Sequence, residues 1–312
     1  MLAIVCPGQG AQTPGMLAPW LTNPTFAAGI AEFSEVVGLD LEHLGTDADS
    51  ETIRDTAIAQ PLLVASALAS ARALGVGGPS NPKATVVPAV VAGHSVGEFG
   101  AAVLAGVLSD HDALRLVAVR GSAMAAAAAA SVPTSMAAVL GGDPAEVAAA
   151  LLALGLVAAN ANGAGQVVAA GAKDAITQLV ANPPEKARVI ELQVAGAFHT
   201  EYMAPAVEAL AVAAAQVAVS APTTLLLSNA DGAPVTEGAD ALARLVRQVA
   251  NPVRWDLCQE QMIALGVTAL IELAPGGVLT GLAKRTMAGV PTVALKSPAD
   301  LEAARELMEQ HA

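Results

Sequence analysis

Short apolar runs alternate with longer segments of helical periodicity along this chain. Leu2–Cys6 is an uninterrupted apolar run with the length of a buried parallel strand, and turn-forming residues follow it at Pro7–Gly10. Ala89–Ala92 is a second such run, and a helical pattern begins after it at Glu98. Longer helices are predicted at Ile58–Leu74 and Asp112–Ala130, and a loop is predicted at Gly75–Pro82. Strands that alternate with helices in this way are typical of an α/β fold with a mainly parallel sheet.

The order of elements changes after residue 134. Strands are predicted at Ser135–Leu140, Leu156–Asn160, Gln166–Ala170 and Arg188–Val194, with helices at Pro144–Leu154 and Lys173–Ala181. This βαββαβ order is typical of a ferredoxin-like α+β unit. The α/β pattern then resumes at Thr223–Ser228, Ala239–Ala250, Leu257–Leu265 and Ala269–Leu273. We therefore predict an α/β-hydrolase-like large domain over residues 1–130 and 195–312, an inserted ferredoxin-like lobe over 134–194, and a ligand-binding cleft between them.

Composition narrows the classes of function. Hydrophobic residues make up 54% of the chain and charged residues 14%, so a large core can form and disorder is not expected. The formal charge of −13 argues against a nucleic-acid partner, because binding to phosphates requires clustered cations. The start of the chain lacks the basic region of a signal peptide. No stretch looks long and apolar enough to cross a membrane, since the most apolar window, Ala123–Val132, stops at Pro133. We expect a cytoplasmic monomer with no membrane partner.

Gly93–Gly97 reads GHSVG, which matches G-x-S-x-G between a predicted strand and a predicted helix. In this motif the serine lies on a strained turn, and the flanking glycines remove the steric clashes of that turn. The start of the following helix favours an oxyanion, because its free N–H groups and its dipole point there. The motif predicts that Ser95 is a nucleophile. The alternative is a glycine-rich turn with an incidental serine.

A serine nucleophile requires a base, and the chain has five histidines. Three of them lie at the chain end or in polar segments with acidic neighbours: His43, His111 and His311. His94 points away from Ser95 if the turn forms, so His199 remains as the candidate. A buried histidine without a catalytic role is the alternative for His199. No aspartate follows an obvious strand end between Ser95 and His199, so a backbone carbonyl is the expected partner of the imidazole.

Arg120 is a charged residue on an apolar face of a predicted helix. Its neighbours at three and four positions include Leu116, Val117 and Met124. Because a buried charge needs a partner, three interpretations stay open. Arg120 forms an internal salt bridge, with Glu98 as one candidate, or its side chain reaches solvent, or it binds a substrate carboxylate.

Two glycine-rich segments only partly match phosphate-binding loops. Pro7–Gln12 is followed by Thr13, where G-x-G-x-x-G needs its third glycine. Gly276–Gly281 is followed by Leu282, where a Walker A loop needs lysine. No His or Cys pair has ligand spacing, so no metal site is predicted. The two cysteines, at positions 6 and 258, are too few for a disulfide framework and are expected to be buried.

Several segments together form a recognisable set. They are PGQGAQ at 7–12, GHSVGE at 93–98, an arginine 25 residues after that serine, GAFH at 196–199 and NPVRW at 251–255. With this set the chain resembles the malonyl-CoA:acyl-carrier-protein transacylases of fatty acid synthesis and the related acyltransferase domains of polyketide synthases. The likeness extends over nearly the whole chain and includes PGGVLTGLAKR at 275–285.

The resemblance implies roles for the residues that match. Ser95 would be the nucleophile and His199 its general base and acid. The backbone carbonyl of Gln248 would orient the imidazole in place of an aspartate. Backbone N–H groups of Gln9 and Val96 would form the oxyanion hole.

The resemblance also implies a binding pocket for the acyl group. Arg120 would bind the free carboxylate of a malonyl group, and Met124 and Asn160 would line the same pocket. Phe198, next to the implied base, would exclude an α-methyl branch. Discrimination by one methyl-sized group is worth only ~1–3 kcal/mol.

The implied reaction moves a malonyl group from malonyl-CoA to the phosphopantetheine thiol of an acyl carrier protein, through a malonyl-serine ester and without a cofactor. Carrier proteins of this kind are usually acidic, and this chain is acidic too, so docking would need a local basic patch. Lys284 with Arg285, or Lys186 with Arg188, are the candidate clusters. The alternatives are a trans-acting polyketide acyltransferase, a serine hydrolase or thioesterase, and a non-catalytic binding module.

Overall fold

A six-stranded sheet forms the centre of the larger part of this computed structural model, which describes residues 1–77, 86–194 and 196–311. In spatial order its strands are β11 (Thr292–Ala294), β10 (Ala269–Glu272), β1 (Leu2–Cys6), β2 (Val90–Gly93), β7 (Leu225–Leu227) and β8 (Pro234–Val235). All neighbouring strands are parallel except β7 and β8. Ala3 of β1 pairs with Val90 on one side and with Leu270 on the other. Every residue of β1 is buried, as is typical of a parallel sheet covered on both faces, and this confirms the predicted α/β class.

A second sheet of five strands lies later in the chain. Its spatial order is β6 (Ala187–Glu191), β3 (Thr134–Gly141), β5 (Gln166–Ala172), β4 (Val157–Gly163) and β9 (Val253–Arg254). The first four strands are antiparallel, and helices α6 (Pro144–Ala153) and α7 (Lys173–Ala181) pack against them around a separate small core. β9 adds in parallel to β4, with Val253 opposite Asn160. One strand of this sheet therefore comes from outside residues 134–194.

The other helices accompany the six-stranded sheet. They are α1 (Pro24–Val37), α2 (Leu41–Thr46), α3 (Thr56–Leu74), α4 (Gly97–Leu104), α5 (Asp110–Ala130), α8 (Ala204–Ala214), α9 (Gly238–Arg247), α10 (Trp255–Ala264), α11 (Val278–Thr286) and α12 (Asp300–His311). α3 packs against both α1 and α5, and α5 also packs against α8. Short 3-10 turns occur at Trp20–Thr22, Thr52–Arg54, Glu201–Met203 and Gln248–Ala250.

Helices α3 and α5 correct one expectation from the sequence. Each is long and apolar enough to cross a membrane by length and composition. Almost all of α3 is buried in the core, and its hydroxyls are satisfied internally, since Ser66 donates to the carbonyl of Leu62 at 2.6 Å. The buried face of α5 packs on α3 and α8. Burial in the protein core therefore accounts for the apolar composition of α3, whereas α5 is only partly buried and is apolar mainly through its run of alanines.

Helices α1 and α2 are elements that the sequence analysis did not predict. The side chain of Asn23 accepts the N–H of Phe26 at 3.1 Å and Pro24 occupies the first position of α1, so the Asn-Pro pair is the signal that marks its start. Gly75 ends α3 with a φ of 87°, as predicted. Positions 78–82 of the predicted loop lie outside the described residues. Cys6 and Cys258 are buried and unpaired, and burial raises the pKa of both thiols above the usual range.

Candidate active site

Ser95 lies on the turn between the end of β2 and the start of α4. Its φ is 54°, a left-handed conformation that is strained for a residue with a side chain. A Cβ at Gly93 would overlap the backbone of Gly97, and a Cβ at Gly97 would overlap the carbonyl of Cys6. Both glycines of the motif are therefore required by close backbone contacts, which the turn predicted from the sequence explains.

His199 lies next to Ser95 although 104 positions separate them in the sequence. The Nε2 atom of His199 lies 2.8 Å from the Oγ of Ser95, and its Nδ1 lies 2.8 Å from the carbonyl oxygen of Gln248. Because a carbonyl only accepts, Nδ1 carries the proton and Nε2 is free to accept from the serine hydroxyl. Burial, followed by the charge of Arg120, lowers the pKa of His199 to about 3. A neutral imidazole beside a serine hydroxyl is the arrangement that removes a proton from a nucleophile.

Arg120 is fully buried on α5, directly behind Ser95. Its Nη1 donates to the side-chain oxygen of Gln60 at 2.7 Å, and its Nη2 donates to the side-chain oxygen of Gln248 at 3.0 Å. In the part of the chain that the structure describes, Arg120 forms no ion pair and its Nε has no partner. Burial lowers its pKa only to about 10, so it remains charged at neutral pH. The site therefore holds a buried cation that only neutral groups contact directly.

Three polar residues that sequence reasoning did not place in the site connect its parts. Asn229 follows β7, its side-chain oxygen accepts the N–H of Ser95 at 2.8 Å, and its Nδ2 donates to the carbonyl of Gly93 at 2.8 Å. Glu98 accepts the N–H of Asn229 at 2.8 Å and also accepts from the side chain of Gln248. Burial raises the pKa of Glu98 to about 8, against the opposing effect of these donors and of Arg120. The third residue is Gln60, whose side-chain oxygen accepts from Arg120. Polar residues that follow the carboxyl end of a parallel strand, here Ser228 and Asn229 after β7, are the signal that could have found Asn229.

A cavity of about 240 Å³ opens in front of Ser95 and His199. The five-stranded sheet, the loops that follow β1 and β2, and helices α3, α5 and α11 contribute to its lining. The lining residues are Gly8, Gln9, Gly10, Gln60, His94, Ser95, Met124, Met136, Ala138, Asn160, Asn162, Gln166, Val168, Leu192, Val194, Phe198, His199, Val278, Leu279 and Leu282. Of the residues predicted to line the acyl pocket, Met124, Asn160 and Phe198 line this cavity, whereas Arg120 is not among its lining residues. The segment Val278–Leu282 is a lining that sequence reasoning did not assign. A wider surface depression of about 840 Å³ shares Leu192 and Val194 with the cavity but contains neither Ser95 nor His199.

The backbone N–H groups of Gln9 and Val96 lie on two loops that meet at this turn, after β1 and after β2. Within the described ranges, neither N–H donates a hydrogen bond to another protein atom. Such free donors beside a nucleophile are available to an oxyanion. Among the same residues, no group of three or more His, Cys, Asp or Glu side chains could hold a metal ion.

Residues 3–301 match the family model described as "Acyl transferase domain". The chain belongs to the acyltransferase family. Among its curated relatives, the malonyl CoA-acyl carrier protein transacylase of Mycobacterium tuberculosis is 52% identical over 302 residues, covering 97% of this chain and 98% of that protein. The enzyme of the same name from Escherichia coli K12 is 39% identical over 315 residues, covering 98% and 99%.

Solved structures of the acyltransferase family agree with this assignment. The crystal structure of MCAT from M. tuberculosis superposes with a TM-score of 0.91, at 52% identity, over 97% of this chain and 99% of that one. A malonyl-transacylase in complex with its type II PKS acyl-carrier protein superposes with a TM-score of 0.89, at 34% identity, over 98% and 99%. This chain is therefore an acyltransferase in sequence and in fold.

Proposed function

We propose that this acyltransferase transfers a malonyl group from malonyl-CoA to the phosphopantetheine thiol of an acyl carrier protein in fatty acid synthesis. The observation that carries the proposal is the buried Arg120 beside the Ser95–His199 pair. Among the described residues this fully buried cation contacts only neutral groups, the amide oxygens of Gln60 and Gln248 and the hydroxyl of Ser95, which suits a substrate that brings its own carboxylate. Its curated relatives are named for the same transfer.

In the first half-reaction, Nε2 of His199 takes the proton of the Ser95 hydroxyl as Oγ attacks the thioester carbonyl of malonyl-CoA. The N–H groups of Gln9 and Val96 stabilise the oxyanion of the tetrahedral intermediate. The C–S bond then breaks, and His199 gives its proton to the departing CoA sulfur. The carbonyl of Gln248 keeps the imidazole oriented and stabilises its cationic form in both transfers. A malonyl ester of Ser95 and free CoA result.

In the second half-reaction, the pantetheine thiol of the carrier protein occupies the position that CoA left. His199 removes the thiol proton as sulfur attacks the ester carbonyl, and the same N–H groups stabilise the second intermediate. The C–O bond breaks, and His199 returns its proton to Oγ of Ser95. The two steps require no cofactor, because CoA and the pantetheine arm are substrates, and they follow ping-pong kinetics.

Arg120 selects the malonyl group by charge. A carboxylate forms stronger hydrogen bonds with a guanidinium than an amide oxygen does, so malonate displaces Gln60 or Gln248 as an acceptor. Met124, which accepts from the side chain of Gln60 at 3.4 Å, and Asn160 border the path to the guanidinium. The ring of Phe198 limits the room beside the α-carbon of the acyl group.

We also propose to which fold types the two parts of the chain belong. The large part of the chain, residues 1–130 and 195–312, is α/β-hydrolase-like, and residues 134–194 form a ferredoxin-like lobe. The order β6-β3-β5-β4, with two helices packed against these strands, supports the second assignment. We also propose that the protein acts in the cytoplasm and as a monomer.

The carrier protein docks on a basic rim of the cavity. Lys284 and Arg285 are exposed on α11, and Arg285 donates to the side chain of Gln166 at 3.4 Å. Because Gln166 lines the cavity, this pair lies at its opening. Lys186 with Arg188 is the alternative cluster, but Lys186 already lies 3.6 Å from the carboxylate of Glu185. The first pair is therefore the better candidate.

Two other functions remain as outcomes of the test. A trans-acting polyketide acyltransferase has the same chemistry with a different carrier, and one similar structure contains a type II PKS acyl-carrier protein. A serine hydrolase would transfer the acyl group to water. A buried arginine disfavours the hydrolase, because an ordinary ester substrate has no group that needs this charge.

Mass spectrometry of the protein mixed with malonyl-CoA, without a carrier, tests the proposal. We expect a malonyl-sized mass gain on the Ser95 peptide that is absent from Ser95→Ala. In Arg120→Ala, labelling by malonyl-CoA should fall by more than labelling by acetyl-CoA. Arg115→Ala, an exposed arginine on the same helix, is the matched control and should label like the wild type. Release of CoA without an adduct would indicate a hydrolase, and neither adduct nor CoA would indicate a binding module.

A further inference from the structure

Glu98 is a buried carboxylate that none of the proposed chemical steps uses. It lies in the first turn of α4, three positions after Ser95, and is 4% exposed. Its Oε1 accepts the N–H of Asn229 at 2.8 Å, and its Oε2 accepts from Nε2 of Gln248. Both oxygens therefore face N–H donors, and both donors belong to residues that contact the nucleophile or the buried arginine.

The side-chain amide of Gln248 has one orientation that satisfies all of its neighbours. Its Nε2 faces three acceptors: Oε2 of Glu98, the carbonyl oxygen of Ser95 at 3.2 Å and Oδ1 of Asn229 at 3.2 Å. Its Oε1 accepts from Arg120 at 3.0 Å. The reversed amide would point N–H groups at a guanidinium and an oxygen at three oxygens. Glu98 is the acceptor of the three whose second oxygen also accepts the N–H of Asn229, so it anchors the amide to the turn that carries Ser95.

Gln248 joins the two halves of the site. Its side chain contacts Arg120, and its backbone carbonyl contacts Nδ1 of His199 at 2.8 Å. We infer that Glu98 is a positioning residue for malonyl selectivity: it fixes the amide of Gln248, which in turn sets the guanidinium of Arg120 for the substrate carboxylate. This inference rests on the proposed malonyl transfer. It predicts an effect of Glu98 on the choice of acyl group as well as on stability.

Glu98→Gln is the direct test, because it keeps the shape and leaves one acceptor oxygen where two are needed. Whichever way the new amide turns, its NH₂ group meets an N–H of Asn229 or of Gln248. We expect the ratio of malonyl to acetyl labelling of Ser95 to fall about tenfold, the effect of leaving one buried N–H donor without an acceptor. An unchanged or increased ratio would overturn the inference, because the amide of Gln248 would then hold Arg120 equally well without Glu98.

Gln248→Met provides a second variant and a double-mutant cycle. It retains the backbone carbonyl for His199 and removes the four side-chain hydrogen bonds, including those with Arg120 and Glu98, so the labelling ratio should fall as it does in Glu98→Gln. In the double variant, Glu98→Gln should change the ratio by less than about twofold, because the residue through which it acts is gone. An equal effect of Glu98→Gln in both backgrounds would also overturn the inference. The cycle remains informative through Gln248→Met if Glu98→Gln fails to fold.

Glu272→Gln is the matched control. Glu272 is likewise a buried carboxylate that accepts backbone N–H groups, from Gly277, Leu279 and Thr280 at the start of α11. It should lower stability and leave the malonyl-to-acetyl ratio within about twofold of the wild type. Wild-type protein that takes up no malonyl group would refute the proposed function, whereas normal wild-type labelling with an unaltered ratio in Glu98→Gln would refute only the role of Glu98.

Discussion

The side-chain oxygen of Asn229 accepts the backbone N–H of Ser95 at 2.8 Å, across 134 positions of sequence. The other end of the same amide donates to the carbonyl of Gly93, so one side chain bridges the strained turn that carries the nucleophile. A left-handed serine persists only where surrounding contacts hold it, and Asn229 supplies two of these contacts.

Asn229→Ala should therefore lower both the stability of the protein and the reactivity of Ser95. It leaves a buried N–H and a buried carbonyl without partners, at about 1–3 kcal/mol each. We expect a lower urea midpoint and slower acylation of Ser95 by malonyl-CoA. Asn182→Ala, which removes an exposed amide that donates only to the carbonyl of Gln178, should stay within about 0.5 kcal/mol of the wild type. Wild-type stability and rate in Asn229→Ala would contradict this account of the turn.

The lowered pKa of His199 predicts the response of the enzyme to acid. Burial holds this pKa near 3, so the imidazole stays neutral and able to accept a proton far below pH 6.5. The pH profile of acylation should show no loss of activity near 6.5, the pKa of an exposed histidine. A decline of activity centred at pH 6.5 would mean that His199 is exposed to solvent in the free enzyme.

The same shift has a consequence for stability. Between about pH 6.5 and 3 the unfolded chain binds a proton at His199 that the folded chain does not, so the free energy of unfolding should fall as the pH falls. Urea unfolding at pH 7 and pH 5 measures this difference, and His199→Gln should reduce it. His43→Gln, the same replacement at an exposed position outside the site, is the control variant.

Phe198 predicts which acyl groups the cavity accepts. The ring lines the cavity beside His199, and its removal makes room for a methyl branch on the α-carbon. In Phe198→Ala, the preference for malonyl-CoA over methylmalonyl-CoA should fall by about tenfold, within the range that one methyl group can supply. Met136→Leu keeps the volume of another lining residue and should keep the preference. Competitive labelling of Ser95 with both thioesters measures the ratio of malonyl to methylmalonyl transfer. An unaltered ratio in Phe198→Ala would mean that another residue excludes the methyl branch.

Lys284 and Arg285 on α11 predict an effect on the second half-reaction, the transfer of the acyl group to the carrier protein. Replacement of Lys284 and Arg285 by glutamate should slow transfer to an acidic carrier protein by about tenfold at low salt, and added salt should narrow the difference. Glutamate at Lys186 and Arg188 should have a smaller effect if the cavity rim is the docking site. Rapid-mixing measurements of each half-reaction separate carrier docking from CoA binding. If the second half-reaction were slower only in the variant at Lys186 and Arg188, the docking site would lie at that cluster instead.

Much of the fold could be predicted because its signals are local. The apolar run of β1, the glycine that ends α3 and the alternation of strands with helices all follow from neighbouring residues. Helix α1 was missed although its buried residues Phe26, Ile30 and Phe33 recur at helical spacing, and α2 was missed because six residues are too few for a periodic pattern. The apparent absence of membrane-length segments was wrong for α3 and α5, because many alanines raise the mean hydropathy of a helix that the core buries.

By itself the sequence determined the turn at Ser95 and the position of Arg120 on an apolar face, since both depend on spacing within a few residues. It also carried the family resemblance, which the matching family model and the relatives bear out. Only the tertiary structure decided what Arg120 touches: the hydroxyl of Ser95 and two amide oxygens, 60 and 128 positions away, rather than a carboxylate. It likewise brought Glu98, Asn229 and Gln248 into one hydrogen-bonded group. Contacts between residues so distant in the chain leave no local pattern, because they exist only once the sheets and helices have packed.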